Sequence, residues 1–389
     1  MSRPSRLVVV IAALAVAGGL TMPASAGADT GEPDPVPTDR VASSFSPAEL
    51  EDLGTYALLN GRELADVAEQ FSGVSDFIGM VAEVQEQLPD EFVYAEWGHG
   101  SGLLVVRPGG YETARDLVGR SGAQSKVLER DVPAEAVQQE IVNAVAQSLD
   151  KSLVESSEVS YDYETNRILV SVESTLRAKN VSIPERLRAQ ASQSGTRIDV
   201  VSRDTVISKA TARGGMNYSS CTGGFIGKPS SSSTLRGVIT AQHCTTRPSS
   251  YDGNPTTANL SSVILGKDLR FTRFASGTYN NTFRYQAGSF RSATSTINPV
   301  VGAVACKYGR VTGRFCTTIA KNNVSAGGYT GMSQTAAGSV QPGDSGGPWY
   351  YGNAAMGITY GYTHAEGQPT KPLTDLFTGI GTSYRVLTS

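Results

Sequence analysis

The sequence predicts an α+β body followed by an all-β body, with two or three domains in the whole chain. Three observations carry this. The chain has 389 residues, more than one core ordinarily serves. Its charge is divided: residues 27–210 hold 16 Lys+Arg against 31 Asp+Glu, and residues 211–389 hold 15 against 5. The first stretch therefore stands at −15 and the second at +10, and bodies of opposite sign attract. The pattern also changes near residue 205, from helical periods and hairpins to short β-branched runs rich in Ser, Thr and Gly.

Composition removes several classes. With 39% hydrophobic and 18% charged residues the chain is not of the disordered type. No internal apolar run approaches the roughly 18 residues a spanning helix needs, so no membrane helix is expected beyond the N-terminus. Four Cys, all after residue 220, leave room for two bridges in any of three connectivities. The basic residues of 211–389 are scattered, which argues against a nucleic-acid or cell-wall binding face.

Residues 1–26 read as a secretory signal: Arg3 and Arg6, an uncharged stretch from Leu7 to Leu20, then Ala24-Ser25-Ala26 as the small-x-small cleavage pattern. Export leads to an oxidising compartment where disulfides persist. Residues 27–45, with Pro33, Pro35 and Pro37 among acids, read as a linker. Ser46, Pro47 and Glu49 form a capping box that starts a helix, and Phe77, Val81, Val84 and Leu88 line one face of a later one, with Ser75 before it. A loose repeat follows at an offset of 67 residues. Tyr94–Val106 reads as a hairpin, then a helix and a strand at Val127-Leu128; Tyr161–Val172 reads as a second hairpin, then a helix at Pro184–Gln193 and a strand at Ile198–Val201.

Three segments of the all-β half carry chemistry: Thr240-Ala-Gln-His243-Cys244, Lys267-Asp268-Leu-Arg-Phe271, and Gly343-Asp344-Ser345-Gly-Gly-Pro348. A serine hydroxyl is a poor nucleophile until a neutral imidazole takes its proton and a buried carboxylate orients that imidazole. Only His243 and His364 lie beyond residue 210, so they are the candidate bases. The glycines around Ser345 allow the sharp turn that aims N–H groups at an oxyanion.

At these residues the chain resembles the chymotrypsin-like serine proteases, and within them the secreted streptogrisins and α-lytic protease. The resemblance implies two six-stranded antiparallel Greek-key β-barrels over residues 211–389, preceded by an α+β prodomain at 46–210 that helps folding, inhibits, and is cut away between about residues 205 and 215, near Ala210–Arg213. It implies a triad of His243, Asp268 and Ser345, with the N–H groups of Gly343 and Ser345 as oxyanion donors. Of the other acids of this half, Asp252 lies in a Gly/Pro turn and Asp375 is expected to begin a C-terminal helix.

The family's bridges imply Cys221–Cys244 and Cys306–Cys316, and its third bridge is missing because Ser339 stands where a Cys would be. The family also implies Arg310 as the partner of the buried Asp344. No cofactor, metal, nucleic acid or membrane is implied, and the expected state is a monomer acting on protein or peptide substrates. One departure stands out: where the family has Ser-Gly-Gly along its substrate-binding strand, this chain has Tyr360-Gly361-Tyr362. A tyrosine at the mouth of the P1 pocket, with Ser339 rather than Asp at the expected counter-charge position and Glu366 in a poorly matching loop, predicts small or medium apolar P1 residues. The same departure keeps open a different class, an inactive protease fold used for binding.

Overall fold

The structure is a computed structural model. It describes residues 44–388 apart from 99, 150–156, 163–164, 173–180, 203–204, 210–216, 219–220, 232–234, 245–249, 252–253, 256–257, 275–278, 366–371 and 381–383. The expected signal at 1–26, nearly all of the linker, the maturation cut, Asp252 and Glu366 lie outside the described residues.

The first part begins with three helices, α1 (Pro47–Leu59), α2 (Leu64–Phe71) and α3 (Val74–Gln87). The capping box at the start of α1 is present: Glu49 N–H donates to Ser46 Oγ at 3.3 Å and Ser46 N–H donates to Glu49 Oε2 at 2.8 Å. In α3, Phe77, Val81 and Val84 are buried as their spacing predicts. Gly73, not Ser75, caps α3; its φ of +84° is left-handed, and the Ser75 hydroxyl instead reaches Glu49.

Both expected repeat units form. Strands β1 (Phe92–Gly98) and β2 (Ser101–Val106) pair antiparallel, helix α4 (Tyr111–Ser121) crosses over, and β3 (Ser125–Glu129) lies parallel to β2. After α5 (Glu135–Ser148), β4 (Ser157–Asp162) and β5 (Arg167–Val172) repeat the hairpin, and α6 (Glu185–Gln193) leads to β6 (Arg197–Ser202) parallel to β5. A parallel neighbour requires a crossover, which is why a helix stands between each hairpin and its third strand. The chain then forms β7 (Thr205–Lys209).

The second part is strand after strand. Short ladders join β8 (Asn217–Tyr218) to β9 (Cys221–Thr222) and β12 (Ser250–Tyr251) to β13 (Asn254–Pro255). A five-stranded sheet runs β14 (Ala258–Val263), β15 (Arg270–Phe274), β11 (Gly237–Thr240), β10 (Ile226–Pro229) and β25 (Tyr384–Val386). A hairpin of β16 (Thr282–Gln286) and β17 (Ser289–Ser292) and the short β18 (Ser295–Thr296) connect it to the next sheet. There β19 (Val304–Gly309), β22 (Pro348–Tyr351), β23 (Ala354–Ala365), β24 (Pro372–Gly379), β21 (Tyr329–Thr335) and β20 (Gly313–Ala326) pair in that order, and β19 pairs back to β20, closing a ring of six. Asp375 therefore lies in a strand and not at the start of a helix. Leu376 and Phe377 are fully buried and Asp375 pairs across to Tyr362, so tertiary pairing outweighs any local helical preference.

The two parts share sheet edges. Strand β4 adds to β20 at Val159–Ser325, and β7 adds antiparallel to β23 from Gly361–Lys209 to Ala365–Thr205.

Candidate active site

The register of two strands brings the first two candidates together. Thr240 at the end of β11 pairs with Arg270 at the start of β15. Continuing that antiparallel register by two residues sets Asp268 level with position 242, beside His243. The Asp268 carboxylate is fully buried and meets His243 at both oxygens: the backbone N–H donates to Oδ1 at 2.9 Å, and Nδ1 lies 2.8 Å from Oδ2. This contact selects the tautomer with the proton on Nδ1 and leaves Nε2 as the acceptor. His364 lies on β23 opposite Pro372, so the histidine beside the buried carboxylate is His243. The loop is braced twice: Arg270, itself buried, donates to Gln242 O at 2.8 Å, and Cys244 is bridged to Cys221. The second bridge is Cys306–Cys316 across β19 and β20. Cys221, His243 and Cys244 bring possible metal ligands within 4.8 Å of one another, but both sulfurs are in the bridge and offer no thiolate.

Ser345 sits on a tight turn and is fully buried. Gly343 and Gly346, at φ +108° and +83°, take the left-handed backbone that the turn needs. A Cβ on Gly346 would come within 2.0 Å of Thr240 Oγ1, so the serine turn packs directly on the end of β11. The turn is tied to β9 and β23: Thr222 N–H donates to Ser345 O at 2.8 Å and Gly346 N–H to Thr359 O at 2.8 Å. The Ser345 hydroxyl lies 3.5 Å from Tyr360 O, while His243 Nε2 is buried with no hydrogen-bond partner among the described residues.

The cation beside Asp344 is Lys307 rather than Arg310. Lys307 Nζ lies 3.4 Å from Asp344 Oδ2, and both side chains are fully buried. Thr312 Oγ1 donates to Oδ2 at 2.5 Å, Val311 and Thr312 N–H reach Oδ1 at 2.8 and 3.3 Å, and Gln341 N–H reaches Oδ2 at 3.0 Å. Arg310 stands exposed in the turn between β19 and β20. The reason is alternation and turn shape: Lys307 is on the strand and points inward, while the turn presents its N–H groups, not the Arg310 side chain, to the carboxylate. Gly309 allows the approach, since a Cβ there would fall 2.3 Å from Asp344 Cγ.

A second buried carboxylate, on strand β24, lies nearby. Asp375 accepts from Ser339 N–H at 3.0 Å and Val340 N–H at 2.9 Å, so it grips the segment that leads into the serine turn. Burial pushes its carboxyl up to about 6, against the pull of Lys307 and those two N–H groups, and Asp344 adds to the rise. The sequence signal is weak: Pro372-Leu-Thr-Asp-Leu-Phe377 is a short apolar segment broken by two polar residues, and periodicity alone does not separate strand from helix there.

Tyr360 is fully buried, its ring 5.6 Å from that of His243 at 85° and 5.8 Å from Tyr329. Tyr362 is buried and packs against Val340, directly across β23–β24 from Asp375. Gly361 lies between them at the point where β7 begins its pairing.

No protein-family model matches the chain. Over 153 residues it is 31% identical to "Serine protease 2" of Streptomyces fradiae, a stretch covering 36% of this chain and 86% of that protein. It is a serine protease of the streptogrisin type. This protease is also 26% identical over 378 residues to "Streptogrisin-C" of Streptomyces griseus, covering 91% of the present chain and 76% of the relative. Among solved structures it is similar to a Nocardiopsis protease, at 24% identity and a TM-score of 0.37, over 46% of this chain and 99% of that one.

Proposed function

We propose that the chain is exported as a preproprotein and that its β half hydrolyses peptide bonds through His243, Asp268 and Ser345. The observation that carries the reading is the doubly bonded pair of His243 and the fully buried Asp268, with an unengaged Nε2, in the same site as a serine held on a tight glycine turn. Ser345 Oγ attacks the scissile carbonyl as His243 Nε2 takes its proton. The developing oxyanion is met by the N–H groups of Gly343 and Ser345. The same imidazole then gives the proton to the leaving amine, and water, activated in turn by His243, releases the acid from the acyl-enzyme and restores Ser345. Asp268 holds the imidazole and balances its charge. The present 3.5 Å contact from Ser345 Oγ to Tyr360 O is broken by rotation about one side-chain bond, and such contacts commonly form only when substrate is bound.

The pairing of β7 along β23 supports an inhibitory role for the N-terminal part, since an extended segment there occupies the edge a substrate backbone would use. Residues 46–210 are then the prodomain and inhibitor, residues 211–389 the protease. Tyr362 packed on Val340 narrows the P1 pocket and favours small or medium apolar side chains. The Asp375 carboxylate beneath it is directed at backbone N–H groups, which leaves it without a free face for a basic P1 residue.

A second reading, an inactive binding protein on this fold, is favoured by the tyrosine at position 360 and the serine turned toward its carbonyl. Labelling of Ser345 by an organophosphonate or sulfonyl fluoride decides between them. Stoichiometric labelling, lost in Ser345→Ala and in His243→Ala, is expected for the enzyme; no labelling of a folded, processed protein would establish the binding protein.

A further inference from the structure

A cluster of four ion pairs joins the acidic and basic parts away from His243, Asp268 and Ser345. Helix α1 sends Glu51 and Asp52 to two arginines of the β half, Arg291 on β17 and Arg314 on β20. Asp52 is fully buried, and the two arginine side chains are 6% and 8% exposed. Arg291 Nη1 donates to both Asp52 oxygens, at 3.0 and 3.1 Å, and Nη2 donates to Glu51 Oε2 at 2.8 Å. Arg314 Nη1 donates to Glu51 Oε1 at 2.8 Å while Nη2 meets Asp52. Gly352 N–H completes the cradle, donating to Asp52 Oδ2 at 2.6 Å.

The cradle belongs to the β half and is held there by groups other than its occupant. The Arg291 guanidinium lies 4.1 Å from the centre of the Tyr285 ring, and that of Arg314 lies 5.2 Å from the same ring. Gly352 O accepts from Arg291 Nη1 at 2.9 Å, and Tyr350 Oη donates to Tyr285 O at 2.8 Å. Planar cations stacked on a fixed ring, with an N–H aimed at the same point, are pre-organised to grip a carboxylate. Gly352, at φ +57°, has no room for a Cβ, which would meet Glu49 Cγ of α1 at 2.8 Å. The helix therefore seats closely on the turn that supplies the N–H.

We propose that Arg291, Arg314 and the Gly352 N–H form a carboxylate-binding site on the β half, distinct from the catalytic site, whose resident ligand in the uncleaved chain is the Glu51–Asp52 pair of α1. The class of ligand is a pair of adjacent acidic side chains on a helix, and the occupant is the N-terminal part of this same chain. The site gives that part an anchor separate from its β7 contact with the substrate strand. Leaving two buried guanidiniums without anions is unfavourable, so the site resists release of the helix. What the anchor does after cleavage rests on the preproprotein reading; the binding site itself does not.

The test uses the full chain carrying Ser345→Ala, so that no self-cleavage intervenes. Asp52→Ala leaves the two arginines facing a space the size of a small carboxylate. Thermal midpoints are measured at pH 7 in sodium acetate and in sodium chloride of equal ionic strength. The midpoint falls in Asp52→Ala and is raised by acetate about 2–4 °C more than by chloride, whereas the parent shows no such difference. Adding Arg291→Gln to Asp52→Ala abolishes the acetate response. Equal effects of acetate and chloride on Asp52→Ala, or an acetate response that survives Arg291→Gln, overturns the proposal. If Asp52→Ala does not fold, the near-isosteric Asp52→Asn is read by hydrogen exchange: amides of 47–59 exchange at least about tenfold faster while those of 74–87 are unchanged, and unaltered exchange in 47–59 overturns it. None of these readouts needs catalysis, so failure of Ser345 to label would sink the enzyme reading and leave this one standing.

Discussion

Asp375→Asn isolates the effect of one buried charge on stability. Burial pushes the Asp375 carboxyl up to about 6 in the folded chain, from the ordinary aspartate value of 3.8. Because the folded-state value is the higher one, the native chain holds a proton that the unfolded chain has already lost between about pH 4 and 6. Stability from this group is therefore greatest below pH 4, and it falls as pH rises through 6. A gap of roughly two units corresponds to on the order of 3 kcal/mol. Lys307 and Asp344 are the charged groups whose fields it feels, one opposing the rise and one adding to it. Asn keeps an acceptor for the Ser339 and Val340 N–H groups but cannot ionise. Urea unfolding of the full chain carrying Ser345→Ala, with and without Asp375→Asn, is measured from pH 4 to pH 8. Relative to the parent, the variant gains up to about 3 kcal/mol between those limits, whatever its baseline cost at pH 4. Asp52, raised to about 6 by burial, adds the same sign to both proteins and cancels in the comparison. Parallel pH profiles for the two proteins would refute the assignment of an ionising carboxylate to this position.

Three further outcomes are expected. The native enzyme cleaves after Ala or Val faster than after Phe or Lys, and Tyr362→Gly gains activity on Phe substrates; a native preference for Phe unaffected by Tyr362→Gly, or one for Lys that Asp375→Asn abolishes, would contradict the narrowed pocket. Replacing Cys221 and Cys244 together with Ala lowers stability by about 3 kcal/mol, seen as a shift in the urea midpoint, because the bridge closes a 23-residue separation in the unfolded chain. Lys307→Met removes the cation that Asp344 and Asp375 both feel and destabilises by about 3–5 kcal/mol at pH 8, less at pH 5 where Asp375 takes up a proton, seen in urea unfolding at the two pH values.

Local patterns carried much of this protein's architecture. The capping box, the apolar face at Phe77, Val81 and Val84, and the two hairpin–helix–strand units are set by spacing within a few residues, so they were legible without knowledge of the fold. The motifs around His243 and Ser345 were legible for the same reason, and so was the charge contrast between the two parts. What depends on contacts across long stretches of chain was not. Lys307 and Arg310 are three residues apart and of one charge; only the register of β19 and its turn decides which of them faces Asp344. Asp375 sits in an apolar run readable as helix or strand, and its pairing with Tyr362 and its hold on Ser339 and Val340 come from strands that meet only in the closed ring. Asp52 is one acid among many in an acidic stretch, and its burial between Arg291 and Arg314, 239 and 262 residues along the chain, exists only once the helix has docked. Sequence determines which side chains are available within a turn of helix or a pair of strands, whereas the pairing of buried charges is decided by desolvation, which acts only after the tertiary fold has excluded water.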